Sequence, residues 1–300
     1  MLIRRLLLNA GLLGAALCAG LLPAAALAHD TWFRVLPADG GAPLLALGTG
    51  NRFPAQESGI GVEYLARQGC SLRAADASAS APATQVLRPM QPTIQPMKPL
   101  RNVANALVLR GPAQAQSCWV QLVPLEIELE PDKVPIYLRE VQADAALRAA
   151  WADIQQRGLP WKERYTKHAR IDLGGSAAQP SPGDTSMGTG IGAGMDMDIV
   201  RVAAADGAFS FRVLRDGQPL PGLAVEWVSD KLPLGIWRRS DAQGLVSLPT
   251  LPPGRWLVRA IDLRLSTVRP DEWESRFVSL AFEVPAPAAN ATAPALPPPR

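Results

Sequence analysis

Two β-sandwich domains, the first carrying one inserted helix, form the mainly β architecture that the sequence predicts. Three observations lead there. Short apolar runs alternate with turn residues along most of 31–284, the signature of many short strands. Only one stretch, 141–157, shows a clear helical period. Between two strand-rich stretches, 29–173 and 197–284, lies a Gly-, Ser- and Pro-rich segment, 174–196, that reads as a flexible linker.

Residues 1–28 have the layout of a secretory signal peptide. Arg4 and Arg5 precede an apolar run that ends near Pro23, and Ala26-Leu27-Ala28 is a small-x-small cleavage site. Cleavage after Ala28 makes His29 the first residue, in a periplasmic or secreted product. That product carries 28 basic and 27 acidic residues, a net charge of +1, with no basic run that argues for nucleic acid. After the signal, no apolar stretch approaches the ~20 residues of a membrane helix, so no transmembrane segment is expected.

Within 29–173, 31–50 reads as strands and hairpins, with turns at Pro37, Asp39-Gly40-Gly41 and Pro43. Gly48-Thr49-Gly50-Asn51-Arg52-Phe53-Pro54 is a loop without the Lys-Ser/Thr ending of a phosphate loop. The proline-rich 74–99 is an extended surface loop. Strands resume over 103–109 and 118–129, where Trp119, Val123, Leu125, Ile127 and Leu129 share one face and Glu126, Glu128 and Glu130 a solvated one.

The helix 141–157 carries Leu147, Trp151 and Ile154 as its apolar stripe, and Gly158 with Pro160 ends it. Over 161–173, Tyr165, Ala169, Ile171 and Leu173 alternate with Arg164, Thr166, His168, Arg170 and Asp172. This is a half-buried strand with His168 on its polar face, although Trp161, Tyr165 and Ala169 also fit a helical first turn.

In 197–284, Phe209, Phe211 and Val213 run up to Asp216-Gly217, a hairpin signal. Leu223, Val225 and Trp227 follow, then the turns Ser240-Asp241-Ala242-Gln243-Gly244 and Pro252-Pro253-Gly254. The regular spacing predicts a small sandwich. The Pro- and Ala-rich 285–300 reads as a disordered tail.

Cys18 falls in the signal, and Leu17 before it is too large for a lipidation site. Cys70 and Cys118 remain, and in an oxidising compartment they most simply form one disulfide, contributing at most about 4 kcal/mol.

The segments His29-Asp30-Thr31-Trp32-Phe33, Gly50-Asn51-Arg52-Phe53-Pro54, Pro135-Ile136-Tyr137-Leu138, 162–170 and the turns within 217–256, taken in that order, resemble a bacterial family of unknown function labelled NikM-like, the periplasmic component of nickel or cobalt uptake systems. His29-Asp30-Thr31-Trp32-Phe33 is similar to its "AHDxW" start, and Gly50-Asn51-Arg52-Phe53-Pro54 to its "GHxFP" element, with Asn51 where many members carry histidine. Pro135-Ile136-Tyr137-Leu138 resembles its "FxxYL" segment and 162–170 its "RERYxRxAK" segment. The pattern Gly217-Gln218-Pro219-Leu220-Pro221-Gly222, Ser240-Asp241-Ala242-Gln243-Gly244 and Pro253-Gly254-Arg255-Trp256 is similar to that family's Ig-like or transthyretin-like module. The resemblance implies a secreted, two-part, Ig-like β protein that handles transition metals and works with a membrane metal transporter.

A histidine at a free N-terminus offers both imidazole and α-amine, whose reference pKa of ~7.7–8.0 allows deprotonation on metal binding. The candidate site is therefore His29 with His168, the only two histidines, as nitrogen donors, and Asp30 as an oxygen ligand or orienting partner. The donor set resembles a histidine brace and suits a transition metal ion, nickel, cobalt or copper. Met187, Met195 and Met197, with Asp196 and Asp198, are a weaker thioether alternative. No Ser/His/Asp order, HExxH or GxSxG pattern is present, so an enzyme is not expected. The competing reading is a structural or adhesive Ig-like module that binds protein or glycan without metal.

Overall fold

The structure, a computed structural model, describes residues 30–72, 93–173, 194–204, 208–232 and 234–286. The signal segment with His29, most of the linker and most of the tail lie outside the described residues. The chain runs β1 (Asp30–Leu36), β2 (Leu44–Gly50), β3 (Ser58–Gly59), a 3-10 turn (Val62–Tyr64), β4 (Leu65–Leu72), β5 (Ile94–Gln95), β6 (Lys98–Val103) and β7 (Ala106–Arg110). It continues with β8 (Ala115–Leu122), β9 (Leu125–Leu129), α1 (Val134–Glu140), α2 (Ala145–Gln156) and β10 (Trp161–Asp172). The last part holds β11 (Met197–Val202), β12 (Phe209–Arg215), β13 (Gln218–Pro219), β14 (Ala224–Ser229), β15 (Ile236–Arg239), β16 (Leu245–Leu248), β17 (Gly254–Leu265) and β18 (Trp273–Val284).

Local chemistry accounts for the punctuation. Asp216 and Gly217 both have positive φ, 51° and 76°, the two-residue turn that lets Arg215 pair with Gln218. Asp241 accepts backbone N–H bonds from Gln243 and Leu245 at 2.8 Å and shapes the next turn. Where the sequence predicts one helix over 141–157, α2 covers 145–156, and a second helix that the sequence reading does not include, α1, precedes it over 134–140. Pro135 suits the first turn of α1. Gln142 then takes φ 53°, and Asp144 caps α2 by accepting the Leu147 N–H at 2.9 Å. Gly158, at φ 72°, closes α2 where the sequence places its end. The expected 74–99 loop gives way to β5 and the start of β6, its residues 74–92 lying outside the described set.

Among the described residues the strands form three sheets. Five strands are ordered β1-β2-β7-β6, with β3 on β2. Nine are ordered β15-β14-β17-β18-β10-β8-β4-β5, with β9 on β10. Four are ordered β11-β12-β13, with β16 on β12. The nine-stranded sheet is the middle layer. Val225, Trp227, Val258, Leu280 and Phe282 bury one of its faces against Ile199, Phe211, Val213 and Val246 of the four-stranded sheet. Leu257, Ala281, Ala169, Ile171 and Val120 bury the opposite face against Phe33, Leu45, Leu47 and Leu107 of the five-stranded sheet. Trp161, Trp273 and Phe277 carry that second face on to Tyr137, Trp151 and Ile154 of the helices.

Sandwich packing thus occurs in each half, and the sandwiches share a sheet. The sequence reading set 29–173 apart from 197–284. In the structure β10 pairs in parallel with β18, from Glu163↔Trp273 to Ile171↔Ala281, and local periodicity carries no record of a partner so distant. For the same reason 167–171 is buried on both faces rather than half-buried, while Lys162 and Arg164, nearer the start of the strand, stay exposed. Its outer pairings are antiparallel, to β8 and β9. Cys70 and Cys118 are directly opposed across β4 and β8 and form the expected disulfide.

A strand buried on both faces must satisfy its polar side chains internally. Glu163 accepts from Tyr137 Oη and Trp161 Nε1, each at 2.9 Å, and from the Ser275 hydroxyl. Arg170 donates to Ser117 Oγ at 2.9 Å and, through Nε at 2.8 Å and Nη2, to both oxygens of Asp198 on β11. The side chains of this pair are 10% and 1% exposed. Asp198→Ala leaves a buried guanidinium without its counter-charge and is expected to cost about 3–5 kcal/mol in urea unfolding. Arg170→Met with Asp198→Leu is expected to cost far less. A single-variant cost below about 1 kcal/mol would show that the pair is solvated.

Candidate functional site

Asp30 opens β1 opposite Gly50, and Asn51 lies one residue beyond that partner. Glu226 on β14 and Arg259 on β17 are direct cross-strand neighbours. Both sit on the face away from Val225, Trp227, Val258 and Ala260, which belong to the core under the four-stranded sheet. Arg259 Nε donates to Glu226 Oε2 at 2.6 Å, and Arg259 Nη1 to Asp30. One guanidinium therefore holds two buried carboxylates. Burial pushes the Glu226 carboxyl up to about 7 and the Arg259 guanidinium down to about 10, both toward the neutral form.

Two adjoining clefts share this wall. The first, of about 420 Å³, includes Asp30, Trp32, Phe53, Ser229, Lys231 and Arg259. The Trp32 and Phe53 rings meet edge-on at 5.7 Å between centroids. The second, of about 380 Å³, includes Asp30, Asn51, Tyr137, Glu226, Trp237 and Arg259. Asp30 and Asn51, from two separate motifs of the sequence, thus meet at one wall. Glu226, Arg259 and Trp237 were not singled out from sequence. The alternation around Trp227 and Val258 puts Glu226 and Arg259 on the non-core side, which an isolated sandwich would leave to solvent.

His168 lies elsewhere. It registers with Val278, which registers with Ala260, so its side chain occupies the face covered by the four-stranded sheet. Arg259 and the Asp30 carboxylate it holds are on the opposite face. The structure therefore does not bring His168 and Asp30 together, and the polar face expected for His168 is an interior one. His168 is 1% exposed, and its Nδ1 is 2.9 Å from the Phe277 carbonyl oxygen. His29 lies outside the described residues.

Among the described residues, no group of three or more His, Cys, Asp and Glu side chains is placed to hold a metal ion. The methionine alternative also disperses. Met197 is core, Asp198 is held by Arg170, and Asp196 is held by Arg67 and Gln121, while Met187 lies outside the described residues. Glu126, Glu128 and Glu130 are exposed, as the alternation predicts. No described helix is long and apolar enough to cross a membrane.

Burial lowers the pKa of His168 to about 4 from 6.5, although the bond to Phe277 and the charges of Asp196 and Asp198 oppose the fall. The unfolded chain takes up the proton first. This neutral imidazole therefore stabilises the fold above pH 6.5, and the stability is lost as pH falls toward 4, about 3 kcal/mol in all. Glu226 works the other way between 4.5 and about 7, so the histidine must be isolated by comparison with a variant. Urea unfolding of wild type and His168→Gln across this range is expected to show the wild-type advantage shrinking as pH falls. A constant difference would mean that the imidazole is solvated. No protein-family model matches this chain, and none of the curated proteins matches it.

Proposed function

We propose that the protein is an exported, non-catalytic binding protein whose cargo is a transition metal ion, nickel, cobalt or copper. The metal is taken at the processed N-terminus and exchanged with a membrane transporter. The observation that carries this reading is the meeting of Asp30 and Asn51 with Glu226 at one wall. These residues come from the two motifs that resemble the metal-uptake family, plus a buried carboxylate. Asp30 is bonded to residue 29, so a chain that starts at His29 begins beside this wall.

The His29 amine and imidazole supply two nitrogen donors, and Glu226 replaces His168 as the further ligand. Burial raises the Glu226 pKa because its charge is incompletely compensated, and an incoming cation relieves that penalty. Nitrogen donors with a carboxylate suit Ni(II) and Cu(II). The buried disulfide fits export to an oxidising compartment.

Isothermal titration with Cu(II) and Ni(II) tests the reading on protein that starts at His29. One equivalent is expected to bind. One alanine placed before His29 is expected to weaken binding at least tenfold, about 1.4 kcal/mol. Glu226→Gln also weakens it, while His168→Gln leaves it unchanged. Equal affinity for the native and extended chains would remove the amine from the site and overturn the proposal.

A further inference from the structure

All eight tryptophans lie among the described residues, and seven of them are buried. Trp237 is the exception, with 36% of its surface exposed. It sits on β15, the edge strand of the nine-stranded sheet, and pairs directly with Glu226, which pairs with Arg259. Paired residues in neighbouring strands share a face about 4.8 Å apart. An indole, a carboxylate and a guanidinium therefore stand in one row across three strands. Asp30 joins the row at its far end through Arg259. Glu140 and Gln142, beside the end of α1, complete the other side of the second cleft.

We infer that this cleft binds a single uncharged pyranose ring, stacked on Trp237 and hydrogen-bonded by Glu226, Arg259 and Asn51. The chemistry of the row selects that class. A sugar ring has one face of C–H bonds, which packs on an indole, and a rim of hydroxyls that both donate and accept. The row offers the same mixture, guanidinium and amide donors beside carboxylate acceptors. Cationic and anionic groups stand side by side in it, so a neutral polyol meets both kinds of group. The volume, about 380 Å³, is that of a small-ligand site. The inference does not rest on metal binding, because neither His29 nor a cation enters it.

The test uses glucose, galactose, mannose and N-acetylglucosamine as probes, with chelator present and with the alanine-extended chain, so that failure of the metal reading leaves it unaffected. Acrylamide quenching reads the one exposed indole. At least one sugar is expected to protect it saturably, and Trp237→Ala and Asn51→Ala are each expected to weaken binding, measured by calorimetry, at least tenfold. Both residues sit at the surface, so the variants should fold. Methyl glycosides of the binding sugar separate two sources. Retained binding points to the end of a glycan, and lost binding to the free sugar. No protection by any of the four sugars would overturn the proposal, as would unchanged affinity in Trp237→Ala. Protection that rises with protein concentration alone would also overturn it, by assigning the indole to contact with a second copy.

Discussion

The parallel pairing of β10 with β18 is the constraint on which the rest depends. Among the described residues it is the only place where the two halves of the nine-stranded sheet are hydrogen-bonded together, since all strands on one side precede residue 173 and all on the other follow 223. A parallel pair has no hairpin to set its register, so the register must come from side chains. Ala169, Ser279 and Ala281 keep one face of the seam shallow, and β1 lies across it closely enough for Ser279 Oγ to donate to the Thr31 carbonyl at 2.5 Å. Slipping the seam by one residue would turn His168 and Arg170 toward β1 and withdraw Arg170 from Asp198.

Burial on both faces also explains the polar content of β10. His168 and Arg170 look from sequence like residues of a solvated face, and Glu163 falls by alternation on the face of Tyr165 and Ala169. Each instead has a specific internal partner: three donors for Glu163, a backbone carbonyl for His168, and Asp198 with Ser117 for Arg170. Replacing such partners singly leaves an orphaned polar group, the costly direction of change. These contacts pin different layers, since Tyr137 belongs to α1 and Asp198 to β11. The strand thus fixes helices on one side and the four-stranded sheet on the other.

What was legible in the sequence is what local rules govern. Asp216-Gly217 announces its turn, Trp151 and Ile154 their helix face, and the cysteine count its single bridge. The sequence reading starts the helix at 141, four residues before α2 begins, because Asp144, its capping residue, sits within an otherwise helical pattern, and it does not include α1. The larger misreading concerns faces rather than elements. Alternation states that Glu226, Arg259 and His168 lie opposite an apolar row, but not whether another layer covers them. His29 and Asp30 drew attention through chain position, and Asp30 does reach a cleft. His168 drew attention only by rarity, and the seam carries it to the wrong side of the sheet.

The two ligand classes argued for the clefts place different demands on the same wall, and proton linkage separates them. A metal ion needs a deprotonated amine, a neutral imidazole and an ionised carboxylate, so binding must release protons wherever those groups are protonated in the free protein. Glu226, raised to about 7 by burial, is then partly protonated at neutral pH, and cation binding there weakens as pH falls below that value. A pyranose makes no such demand, because a protonated carboxyl still accepts through its carbonyl oxygen and gains a donor for a sugar hydroxyl. Burying a carboxylate against a single shared guanidinium thus costs the fold some electrostatic stability near neutral pH. In exchange it holds, at the meeting of β1 with the nine-stranded sheet, a group whose protonation would separate the two proposed ligand classes.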